Sequence, residues 1–112
     1  PKDLRLLKLG RHFRIAPDTK VVVGRNKREN VQINELCKAE DTTLHSASVP
    51  GPTVLVSGTL SAEALETAAA ITTAYSDTAD AGVNEVRVAD RNETWLVRAE
   101  IRDKKDFRGY MI

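Results

Sequence analysis

Aromatic residues make up only 4% of the 112-residue chain: Phe13, Tyr75, Trp95, Phe107 and Tyr110. That is too few for a surface recognising RNA by stacking bases on several exposed rings, and Trp95 is expected in the core. Cysteine is represented by Cys37 alone. No internal disulfide can form, and with only His12 and His45 beside it a zinc site lacks ligands. No apolar run approaches the ~20 residues of a membrane helix, and the basic N-terminus lacks the apolar segment of a signal peptide. A soluble, cytoplasmic domain without membrane contact is expected. The chain also lacks a Ser/His/Asp order, a paired-carboxylate signature and a phosphate-loop lysine motif, and we expect no enzyme activity from these residues. There is no internal repeat and no low-complexity linker.

Charge of one sign is missing from the middle of the chain. No Lys or Arg lies between Lys38 and Arg87, an interval with seven acids. The first 28 residues instead hold nine Lys/Arg against Asp3 and Asp18, a balance of +7, while the remainder carries −6. Such asymmetry predicts a two-sided domain with one basic surface suited to a polyanion, unless folding intermixes the two sets. The length and a hydrophobic content of 41% fit a single domain spanning residues 1–112. A start at Pro1 rather than Met is read as the mark of a processed protein or, in preference, of a domain cut from a longer polypeptide.

Two β-prone runs, 4–9 and 11–15, flank Gly10. In the second, Arg11, Phe13 and Ile15 share one face and His12 and Arg14 the other. Residues 16–19 have turn chemistry, and Val21-Val22-Val23 reads as a buried strand. A helix is expected over 27–38, with Asn26 as N-cap, Glu29 as capping-box partner, and Ile33, Leu36 and Cys37 as its apolar stripe. Strands are expected at 42–47 and 53–57, separated by Pro50-Gly51-Pro52. Ser61 caps a helix from Ala62 to about Tyr75, with Leu65, Ala68, Ala69 and Thr72 on one face. A hairpin of 85–88 and 94–98 turns at 90–92, and a charged tail follows Asp103. This order predicts an α+β fold, a mostly antiparallel sheet with two main helices packed on one side.

The sharpest local signal is Gly24-Arg25-Asn26-Lys27-Arg28. A helix start carries about half a positive charge, so each cation in its first turn is disfavoured by roughly 0.3–1 kcal/mol. The same free N–H groups attract anions, and Gly24 is expected to let a phosphate approach the backbone. Arg25, Lys27 and Arg28 are candidate phosphate partners, with Asn26 and Asn30 as hydrogen-bonding groups and Lys8, Arg11, His12, Arg14 and His45 in support. The alternative is a solvated basic face with Glu29 and Glu35 as local partners. Cys37 is expected to pack rather than react.

The segment from Lys20 to Val56 resembles the RNA-binding domain of the NFACT family. The resemblance rests on Val23-Gly24-Arg25-Asn26 with Asn30, on Asp41 with His45, and on Pro50-Gly51 with Val54-Leu55-Val56, and it covers about a third of the chain. The family has aromatics before the histidine where this chain has Thr43 and Leu44, and Gly-Ser-His after the proline where this chain has Gly51-Pro52-Thr53. The stretch "LLKLGRHFRI" and Ala74-Tyr75-Ser76-Asp77 look like a branch fused to sulfur-transferring tRNA-modification enzymes of the PP-loop ATPase type, similar to 4-thiouridine synthase or tRNA 2-thiouridylase.

The resemblance implies a non-catalytic C-terminal domain that binds RNA, expected to be tRNA, and presents it to a catalytic domain of the same polypeptide. No cofactor is expected in these residues; ATP would belong to the parent. The rival readings are a protein-interaction module docking a catalytic domain or partner subunit, and an enzyme component using Cys37 or His45.

Overall fold

The β-prone runs of the chain pair into one six-stranded antiparallel sheet, seen in a computed structural model that describes residues 6–79 and 81–112. The strands are β1 (Arg11–Ala16), β2 (Thr19–Val23), β3 (Thr42–Ser46), β4 (Val54–Gly58), β5 (Val83–Ala89) and β6 (Thr94–Glu100), in the spatial order β1-β2-β4-β3-β5-β6. Helix α1 (Lys27–Leu36) connects β2 to β3, and α2 (Ala62–Ala74) connects β4 to β5. The expected α+β class and antiparallel sheet are both present.

The two helices do not share a side of the sheet, as had been expected, because the valine run of β2 is apolar on both faces. Val21 and Val23, with Val54, Val56, Leu44, Val86 and Val88, face α2 and its buried Ala68, Ala69 and Ile71. Val22 and Leu55 point the other way and pack on Ile33 of α1, with Leu6, Leu9 and Cys37 at the margin. A run without polar/apolar alternation predicts burial on both faces, and here each face has its own helix. The α2 core is the larger. Small alanines allow that helix to lie close to the sheet, and Phe13 and Phe107 fill its edge.

Residues 4 and 5 of the first expected strand lie outside the described residues, and Leu6–Lys8 forms a 3₁₀ turn instead. Gly10 follows with φ 67°, where an added Cβ would stand 2.3 Å from the Val23 carbonyl oxygen. Glycine is therefore required for the chain to enter β1 beside β2. The charged tail closes as a second 3₁₀ helix, Lys104–Tyr110, which buries Phe107. Beyond it Ile112 N–H donates to the His12 carbonyl at 3.0 Å.

Register gathers one end of the sheet into the region of interest. Arg11 is opposite Val23, Val23 opposite Val54, Leu44 opposite Val54, and Ser46 opposite Val86. The start of α1, the loop before β4, the end of β3 and the end of α2 therefore meet at this end.

Candidate nucleic-acid interface

Gly24 follows β2 directly, and its N–H donates to the Thr53 carbonyl at 3.0 Å. The space in front of Gly24, expected to admit a phosphate, is occupied by the side chain of Asn30. An added Cβ would lie 2.0 Å from Asn30 Oδ1. That oxygen accepts the Thr53 N–H at 3.0 Å, so Gly24 and Asn30 together splice the start of α1 to the start of β4.

Asn26 is the N-cap as expected, its extended backbone (φ −157°, ψ 173°) allowing Oδ1 to accept Glu29 N–H at 2.9 Å. Glu29 reaches one residue further back than a capping box requires. Its Oε1 accepts from Arg25 N–H at 2.9 Å and Arg25 Nε at 3.0 Å, and its Oε2 from Nη2 at 2.7 Å. The guanidinium and backbone of Arg25 hold the buried Glu29 carboxyl down at about 2, against the opposing effect of desolvation. Arg25, though its side chain is 48% exposed, is thus committed to a charge-assisted fork with Glu29.

Lys27 and Arg28 are different. Both are exposed, and among the described residues neither forms an ion pair. Two cations stand at the positive end of α1 with no internal anion, an arrangement that local stability disfavours.

His45 stands beside the same helix through Thr53. Its Nε2 lies 3.3 Å from Thr53 Oγ1, which also accepts from Asn34 Nδ2 at 3.3 Å. Lys27, Asn30 and Asn34, at spacings of three and four, form the flank of α1 next to this histidine. Burial, assisted by the charge of Arg87, lowers the His45 pKa and favours the neutral ring, which can hydrogen-bond or stack. Arg87 faces His45 directly across the β3–β5 pair and is itself opposite Leu96 of β6. Neither was expected in the site. Arg87 alternates with the buried Val86 and Val88 and is exposed, but its pairing with β3 is set by sheet order, which no local pattern gives. Val31 and Leu96, 51% and 53% exposed, flank this open part of the sheet.

The remaining candidates spread out. Arg11 is at the same end of the sheet but turns to the α2 face, its Cζ 5.1 Å from the Tyr75 ring centroid. His12 is turned under the first 3₁₀ turn, with Nε2 2.8 Å from the Leu9 carbonyl and a buried Nδ1 that has no partner. Burial and the nearby charge of Lys20 lower its pKa and favour the neutral ring. Lys8 lines the other flank of α1 with Gln32 and Glu35. Arg14 lies toward the far end of β1 and donates to the Pro17 carbonyl at 3.0 Å. Cys37 caps the C-terminus of α1, where burial and the carboxylates of Asp41 and Glu40 push its thiol pKa up, away from the reactive thiolate.

The Pro50-Gly51 turn is also tied into the fold. A Cβ at Gly51 would stand 2.3 Å from Ser76 Oγ, and the Pro50 carbonyl accepts Asp77 N–H at 2.7 Å. Among the described residues no group of three His, Cys, Asp or Glu side chains is placed to hold a metal, and no helix is long and apolar enough to cross a membrane.

The fold has a solved counterpart. The C-terminal part of the fibronectin/fibrinogen-binding protein from Streptococcus suis superposes with a TM-score of 0.81 at 16% sequence identity, covering 93% of this chain. The present chain spans 50% of that structure's chain. No curated protein matches. The sequence itself matches the NFACT protein RNA binding domain over residues 10–111. That match runs from the turn before β1 to the end of the second 3₁₀ helix, through both helices and all six strands, and this chain belongs to the NFACT RNA-binding domain family.

Proposed function

We propose that the chain is a non-catalytic RNA-binding domain whose primary contact is the start of α1, with Lys27 and Arg28 pairing with backbone phosphates. The observation that carries this reading is that these two cations are exposed and without an ion pair among the described residues, at a helix end whose dipole disfavours them. A phosphate would reverse the sign of that local energy, since it satisfies the cations and the free N–H groups together. Asn34, His45 and Arg87 extend the contact across the adjoining sheet, and Arg25 supports it by fixing the turn through Glu29.

The RNA in this reading is tRNA, recognised by shape and backbone, and presented to a catalytic domain of the same polypeptide. The thiolating, PP-loop-type parent rests on the resemblance in residues 6–15 and 74–77. ATP, in that context, is a cofactor of the parent alone. The domain is read as cytoplasmic.

The test is a titration of a folded tRNA into the chain at several salt concentrations, followed by residue-resolved spectroscopy. The expected result is steep salt dependence, with perturbations centred on residues 26–31, 45 and 87. Salt-independent binding, or perturbations confined to the α2 face, would overturn the assignment.

A further inference from the structure

Tyr75, the residue that ends α2, carries two cations on its ring. Arg11 Cζ is 5.1 Å and Lys104 Nζ 5.0 Å from the ring centroid, while Phe13 meets the same ring edge-on at 6.0 Å and 63°. The two charged heads consequently lie within about 10 Å of one another. Each cation–π contact is favourable, and the negative end of the α2 dipole adds to the attraction. These forces assemble the pair without neutralising it. Among the described residues neither Arg11 nor Lys104 has an ion pair, whereas Arg102, two residues before Lys104, bonds Asp106 at 3.4 Å.

The location adds a second argument. Arg11 is opposite Val23, the residue before Gly24, so the Tyr75 cluster and the start of α1 occupy the same end of the sheet on opposite faces. With cations over its ring, Tyr75 is not available to stack on a base; what remains to recognise is negative charge.

We propose that Arg11 and Lys104, held by Tyr75, form a second phosphate site that takes the backbone of the same RNA as it passes around this end of the sheet. The inference rests on the RNA-binding reading of the α1 start and adds to it a contact on the other face. Two separated sites would also orient the RNA, which one helix start cannot do.

The test compares four forms of the 112-residue chain in a tRNA titration between about 50 and 200 mM salt: unsubstituted, Arg28→Ala, Lys104→Ala, and Arg11→Gln with Lys104→Ala. All of these positions are at least partly exposed, and unchanged urea midpoints would certify the fold. The expected result is a roughly three- to ten-fold affinity loss for Lys104→Ala, a larger loss for the double variant, and a salt slope reduced by about one for each cation removed. Loss with Arg28→Ala but none with either Tyr75-cluster variant overturns the second site and leaves the first standing. No loss with any variant overturns both.

Discussion

Arg25 and Arg28 stand three residues apart at the start of one helix and have different roles. Arg25 is used internally, because Glu29 takes its backbone N–H, Nε and Nη2. Arg28 is left to solvent. Alanine at Arg28 is therefore expected to weaken RNA binding at unchanged stability, whereas alanine at Arg25 removes the partner of a buried carboxylate and lowers the urea midpoint as well. Glu29 also gives the acid behaviour a sign. Its folded pKa is about 2 against an ordinary value of 4.5, so its contribution is fully present above about 4.5 and disappears as the pH falls through about 2. Glu29→Gln should flatten that limb of a stability-against-pH curve; an unaltered acid limb would show that the fork contributes nothing. Gly24 and Asn30 form a coupled pair for a steric reason. Gly24→Ala should destabilise the unsubstituted chain more than it destabilises an Asn30→Ala background, because the 2.0 Å clash disappears with the amide. Additive midpoint shifts in that double-mutant cycle would contradict the close packing.

At the level of elements, α1 is the more weakly held of the two α-helices. It is anchored by Ile33 on Val22 and Leu55, whereas α2 packs over a core to which all six strands contribute. Amide hydrogen exchange should consequently open α1 at a lower free energy than β2 and β4; exchange of all three only through global unfolding would contradict this. Asn26→Ala is expected to cost about 1 kcal/mol through loss of the cap. The elements themselves were largely legible in the sequence: the caps at Asn26 and Ser61, the Asp90 turn, and the strands of 11–15, 21–23, 42–47 and 53–57 follow from local turn, cap and periodicity rules. Their assembly was less so. Val21-Val22-Val23 announces burial, but local rules do not say that each face would have its own helix. The 3₁₀ turn at Leu6–Lys8 has the composition of a strand, and tertiary packing against Ile33 and Leu55 decides its conformation. The site was legible where the signal was local, in the cations after Gly24. It was not legible where register decides, as for Arg87 beside His45, or where opposite ends of the chain meet, as for Lys104 on Tyr75.

For the molecule as a whole, the described cations of the first 28 residues do not gather into one patch. Arg14 lies toward the far end of β1, Lys8 on the outer flank of α1, and Arg25 within an ion pair. What the fold concentrates at one end of the sheet is a smaller set, Lys27 and Arg28 on one face and Arg11 with Lys104 on the other. Binding governed by so few phosphate contacts should be salt-sensitive yet only modestly dependent on base identity. The most direct measurement is the slope of log affinity against log salt for a folded tRNA, taken for the unsubstituted chain and for Lys27→Ala combined with Arg28→Ala. The account predicts a steep slope that becomes shallower by roughly 0.7–0.9 for each of the two cations removed, with affinity falling at every salt concentration. An unchanged slope and affinity in a folded double variant would contradict it.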